Sequence, residues 1–151
     1  MLAYLVSRNG QVFNACIGGY CKFSKNTFFK QNVNFNGCKI YGQGMVTFGD
    51  NFHSAENLKI MTSYHNYLGE KIPYDETIIT KNVTIEENVW VGIDVIILAG
   101  VTVGEGAIIQ AGSVVVSDIP KLAIAGGAPA KPFRYRDAEK YYRLKIEKRY
   151  H

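Results

Sequence analysis

A chain of 151 residues, 47% hydrophobic and 20% charged, can bury one sizeable core, and that apolar fraction argues against disorder. The net charge of +4 is modest, and no nucleic-acid motif accompanies it, so a nucleic-acid-binding role is not expected. Three cysteines, Cys16, Cys21 and Cys38, lack tight pairing and zinc spacing, which points away from a disulfide framework and toward a reducing compartment.

In chain order, residues 1–6 are apolar but too short for a signal peptide, and residues 1–16 are expected to cover one end of the domain. A spacing of six then begins: Ile17, Phe23, Phe29 and Phe35. It slips by one residue near Tyr41 and resumes through Phe48 and Ile60, with Ser54 a polar lapse between them. Cys21 falls at an inward place. Asn26, Asn32, Asn51 and Asn57 take the place where a corner is needed, because asparagine tolerates a left-handed backbone. Residues 66–78 break the pattern with Gly69, Pro73 and four charges, and read as a loop extruded from a regular scaffold, a common place for function.

From residue 79 to 120 the repeat is nearly unbroken. Ile79, Ile85, Val91, Ile97, Val103, Ile109 and Val115 recur every six residues. Val83, Val89, Val95, Val101, Ala107, Ser113 and Ile119 follow each by four, with Asn82, Asn88, Asp94, Gly100, Gly106, Gly112 and Asp118 at the corners. Neither a helix (period 3.6) nor a strand (period 2) makes this pattern. A chain that turns a corner every six residues does, and three such turns close a triangular coil. The spacing predicts an all-β solenoid of about five coils, stacked roughly 4.8 Å apart. The apolar run at residues 89–103 contains Asp94 and two glycines and stays under the roughly 18 residues of a membrane span. A soluble, cytoplasmic protein is expected.

After residue 120 the repeat fails, and residues 137–151 form a tail of the same domain as residues 1–136. Asp137 is placed to cap a helix over residues 138–149, with acids near its start and bases near its end. Residues 131–149 hold eight Lys or Arg against three acids, either a solvated helix face or a rim that meets a phosphorylated ligand.

Seven motifs stand in order: N-F-N at 34–36, T-F-G-D-N at 47–51, H-N-Y at 65–67, N-V-W-V-G at 88–92, Q-A-G-S-V-V at 110–115, D-I-P at 118–120 and G-A-P-A-K at 127–131. Together they resemble the hexapeptide-repeat acyltransferases, in particular the galactoside, maltose and capsular-sugar O-acetyltransferases. The resemblance implies a left-handed parallel β-helix, an exception to the right-handed crossover rule. It also implies a homotrimer with clefts between subunits, and direct acetyl transfer from acetyl-CoA to a sugar hydroxyl in surface-polysaccharide synthesis, with no metal. His65 matches the family's catalytic histidine, and an imidazole of ordinary pKa near 6.5 can accept a hydroxyl proton. Glu56, Glu70, Asp75 or a backbone carbonyl would orient it.

By the same resemblance the cofactor meets Ala55, Trp90, Gly92, Ile93, Ala111, Gly112, Ser117, Gly127, Lys131 and Arg134. Lys131 and Arg134 match residues at its phosphate end. Val116 and Ser117 depart from the Thr-Lys common before D-I-P, and Lys121 is a candidate replacement. Asn34 matches a sugar-binding asparagine, but Gln43 and Gly44 stand where an acidic acceptor ligand is expected. His53, twelve residues before His65, either lines the same cleft or sits on another face. The other readings are an amino sugar, antibiotic or serine as acceptor, a γ-type carbonic anhydrase, and a solenoid without catalysis.

Overall fold

The structure, a computed structural model, describes residues 15–151; the expected end cap falls almost wholly outside that range. The coils are built from short parallel strands. On the first face lie β1 (Ala15–Lys22), β3 (Val33–Tyr41), β5 (His53–Met61), β9 (Trp90–Val91), β12 (Ile108–Ile109) and β14 (Ala123–Gly127), in that order. The long strands β1, β3 and β5 bend onto the second face, where β10 (Ile96–Ile97) and β13 (Val114–Val115) continue the stack. The third face holds β2 (Thr27–Phe29), β4 (Val46–Phe48), β8 (Val83–Ile85) and β11 (Thr102–Val103), and Ile119 adds a bridge to Val103. This is a left-handed solenoid of five coils.

The corners follow from backbone chemistry. Asn32, Asn51, Asn88, Gly106 and Leu122 turn the chain into the first face, all with positive φ. Gly37, Asn57, Asp94 and Gly112 do the same between the first and second faces. A left-handed backbone costs most residues about 1–2 kcal/mol, less for asparagine and none for glycine. The third corner works differently. There Gly100 is left-handed but Asn26, Asn82 and Asp118 are not; their side chains bond a neighbouring coil's backbone, as when Asn82 Oδ1 accepts from Met45 N at 2.9 Å.

Both inward series are buried from Val83 onward. Ile79 is a correction: it is half-buried outside the core and pairs with Tyr64. The repeat is interrupted by a projecting arm, β6 (Ser63–His65) paired antiparallel with β7 (Ile78–Thr80), and true coil geometry returns only at Val83. The early coils are filled by Phe23, Phe29, Phe35, Phe48 and Phe52, with ring centroids 4.8 to 5.7 Å apart. Cys21 and Cys38 are stacked in the core as free thiols.

An antiparallel strand, β15 (Ala130–Tyr135), closes the stack against β14 and covers its open edge. The helix α1 (Ala138–Ile146) is capped by Asp137, which accepts from Lys140 N at 2.9 Å. It ends three residues earlier than expected, because Lys148 takes a left-handed φ of 52° and turns the tail back. The helix flanks the first corner, with Tyr141 buried. Among the described residues no helix is long and apolar enough to cross a membrane.

Candidate active site

The first face carries an outward row across neighbouring coils. Asn34 is paired in register with His53, and His53 with Trp90. Asn34 Nδ2 and His53 Nε2 lie 3.2 Å apart. Trp90 is 55% exposed. Side chains alternate across a strand, so the inward neighbours Val33, Phe35, Phe52, Ser54, Val89 and Val91 hold this row from behind. Burial pulls the His53 ring below the ordinary imidazole pKa, and the His151 ring 5.5 Å away pulls in the same direction. Both effects favour the neutral ring over the charged one.

Beside the row, the second corner is an edge of small residues. Ala55 sits at a bulge where β5 carries one residue more than β3. Above it come Gly92 and Ile93, then Ala111 and Gly112, then Gly127, whose N–H donates to Ser113 Oγ. Gly92 cannot be larger, since a Cβ there would lie 2.6 Å from the Ala111 nitrogen. At Gly112 a Cβ would meet nothing within 4 Å, so the edge opens to its surroundings there. Three coil steps make this edge roughly 14 Å long. Arg134 and Lys131 pair with Ile124 and Gly126 at its upper end. The edge is narrow, apolar and rich in backbone, with Trp90 midway and cations at one end. That suits a thin, amide-bearing arm ending in phosphate. Ser117 does not join it; it stands at the third corner.

His65 stands apart. It ends β6 on the arm, which leaves and rejoins the solenoid at the third corner, where Lys81 N donates to Thr62 O at 2.9 Å. The third corner lies across the prism from the first face. His65 is exposed and its ring stacks on Tyr74, centroids 3.9 Å apart and 13° from parallel. Among the described residues no acidic side chain bonds it. Asp75 instead accepts from the hydroxyl and backbone of Thr77 and from Glu70 N, and these bonds hold its carboxyl below the usual range. Asn66 Nδ2 donates to Thr77 Oγ1 across the arm just beyond its paired strands. Tyr74 is thus the residue that fixes the ring, and residue spacing carried no sign of it beyond the break in the repeat.

Sequence reasoning also missed the cavity of about 590 Å³ between the first face and the tail. Asn51, His53, Asn88 and Trp90 form one wall, and Arg136, Lys140, Tyr141, Arg149, Tyr150 and His151 the other. Asn32 Nδ2 donates to the His151 carbonyl at 2.9 Å, bringing the tail over the row. Among the described residues no three His, Cys, Asp or Glu side chains gather as a metal site.

The six-residue steps of this solenoid are those of a known repeat: residues 82–117 match the family described as bacterial transferase hexapeptide (six repeats). The chain is 33% identical over 129 residues to galactoside O-acetyltransferase of Escherichia coli (strain K12), covering 83% of this chain and 63% of that one. It superposes with a TM-score of 0.68 on a hexapeptide-repeat acetyltransferase from Vibrio cholerae O1 biovar eltor solved with acetyl-CoA, at 27% identity, covering 82% of this chain and 69% of that one. A maltose O-acetyltransferase from Clostridium difficile 630 gives 0.66 at 32% identity, covering 82% and 66%. The chain spans less than two thirds of the length of the curated relatives it matches.

Proposed function

We propose that the protein is an acetyl-CoA-dependent O-acetyltransferase acting on a sugar hydroxyl, with His65 as general base, working in the cytoplasm in surface-polysaccharide synthesis. One observation carries the reading: the Asn34–His53–Trp90 row and the small-residue edge share the first face, while the imidazole arm leaves from the opposite corner. Both can act on one substrate only if the arm of one copy reaches the face of another. A cyclic homotrimer supplies that arrangement three times. Similarity to an O-acetyltransferase and to an acetyl-CoA complex supports the donor and the reaction.

In this reading acetyl-CoA supplies an activated acyl carbon, its arm lying along Ala55, Gly92, Ile93, Ala111, Gly112 and Gly127 beside Trp90. Lys131 and Arg134 hold its phosphate end, and Ser117 meets it from the neighbouring copy. Asn34 and His53 hold the sugar. His65 takes the hydroxyl proton as that oxygen attacks, then returns it to the departing sulfur. No residue forms a covalent acyl group. The test is release of free thiol from acetyl-CoA against a sugar panel. His65→Ala is expected to lower kcat by roughly 10²–10⁴-fold, the usual contribution of a positioned base. Wild-type rates in that variant with the best acceptor would sink the assignment.

A further inference from the structure

The cationic tail has no part in the transfer chemistry just proposed. We propose, resting on that transferase reading, that the cavity between α1 and the first face is the acceptor subsite and selects an acceptor bearing a phosphate or carboxylate. Four cations line it, Arg136, Lys140, Lys145 and Arg149, against one acid, Asp137. Lys145 is neutralised by Glu87 at 2.8 Å and Glu105 at 2.5 Å. Asp137 is occupied by its cap. Arg136 gives one N–H to the Gly106 carbonyl at 3.1 Å and keeps its remaining donors. Among the described residues Lys140 has no ion pair, and Arg149 meets only the exposed Glu147, at 3.8 Å. The cavity therefore holds positive charge in excess, on the wall facing His53 and Trp90.

Position decides which ligand that charge serves. The first face runs Asn34, His53, Trp90, Ile108, Ile124, Arg134 from lower coil to closing strand. Lys131 and Arg134, the cations for the donor's phosphates, are at the upper end. Arg149 and His151 come down to Asn32, Asn51 and His53, on the other side of Trp90. A thioester at Trp90 then has its donor above and its acceptor below; Arg136 is held higher, at Gly106 and Leu122, and the charge of Arg149 at the lower end belongs to the acceptor. The exposed indole offers a flat face for a sugar ring.

Matched acceptors test this: galactose, galactose 1-phosphate and galacturonate, each with acetyl-CoA. Wild-type protein should show the higher kcat/KM with one of the anionic sugars, and which one separates phosphate from carboxylate. In Lys140→Gln/Arg149→Gln the anionic-to-neutral ratio should fall about tenfold, as losing two partly solvated charge contacts would give. Arg143→Gln, on the same helix but outside the cavity lining, should leave the ratio unchanged. Equal use of neutral and anionic sugars by wild-type protein overturns the proposal. So does a loss in the double variant that disappears with acetyl-dephospho-CoA, since the charge would then serve the donor. If no sugar is acetylated, calorimetric titration with galactose 1-phosphate still decides. Binding that weakens in the double variant upholds the subsite while the transferase reading fails, and no binding overturns the subsite.

Discussion

Ser54 shows what one side chain costs in a core only three residues across. Its hydroxyl is buried at an inward place between Phe35 and Val91, and among the described residues it has no hydrogen-bond partner. An orphaned buried hydroxyl costs roughly 1–3 kcal/mol. Ser54→Ala should therefore raise stability by about 1 kcal/mol in denaturant unfolding, part of the gain being offset by lost contacts. The spacing of six already marks Ser54 as a lapse. It could not mark Tyr74, because the stack on His65 depends on how the arm folds back and not on any period. The same limit explains why Glu56, Glu70 and Asp75 were all eligible partners for that ring. Asp75 is committed to Thr77 and Glu70, a choice made by local turn geometry.

A ladder of amides runs up the first corner. Asn32 donates to Asn51 at 2.9 Å, Asn51 to Asn88 at 2.9 Å, and Asn88 to the Tyr141 hydroxyl at 2.9 Å. The Tyr141 hydroxyl donates in turn to Glu105 Oε1 at 3.2 Å. The helix is thus tied to the same column that turns the coils. Asn51→Ala loses the ladder and forces a left-handed alanine, for a cost of roughly 2–3 kcal/mol. Asn51→Gly keeps the turn and should lose about 1 kcal/mol less, a difference that chemical denaturation can read. Asparagine at the corners was plain from spacing; the hydrogen bonds between corners were not, since they join residues 19 to 53 positions apart.

The same helix depends on charge. Burial raises the Glu105 carboxyl pKa, but the hydrogen bond and charge of Lys145, with Tyr141 and Lys121, leave it net below its ordinary 4.5. Lys145 is pushed above its ordinary 10.5, first by its hydrogen bond to Glu105 and then by that to Glu87. Burial and Glu105 push the Tyr141 hydroxyl up to about 12. A depressed carboxyl stabilises above its unfolded pKa and stops doing so as pH falls through the folded value. A raised amine stabilises below its unfolded pKa and stops as pH rises through the folded value. The Tyr141 hydroxyl, raised from 10.0, likewise stabilises fully only below that value, so docking of α1 should be firmest between pH 4.5 and 10.0. Glu105→Gln should speed hydrogen exchange in residues 138–146, by the roughly 1.5–3 kcal/mol of a charge-assisted hydrogen bond.

For the whole molecule, periodicity alone gave the coil count, the inward series from Val83 onward and the residues at all three corners, but not that Asn26, Asn82 and Asp118 turn without a left-handed backbone. It was silent on the cavity, because the tail that forms one wall has no repeat and meets the solenoid through residues distant in sequence. The proposed division of the site between copies has a direct test. His65→Ala and Trp90→Ala proteins, unfolded together and reassembled one to one, should regain activity at roughly a quarter of their clefts if an arm and a face from different chains meet in a closed ring. A site complete within one chain would regain none.

The arm's two ends meet at the backbone hydrogen bond from Lys81 to Thr62, Ser63 Oγ also accepts from Gln43 N, and its two strands pair with each other rather than with the stack. Coils on either side keep their register whatever hangs from that point, as Ser54 and Val91 stay neighbours across the gap. Segment 63–80 could thus be exchanged between related proteins like interchangeable tools on a common handle, while the coils that carry it are left alone.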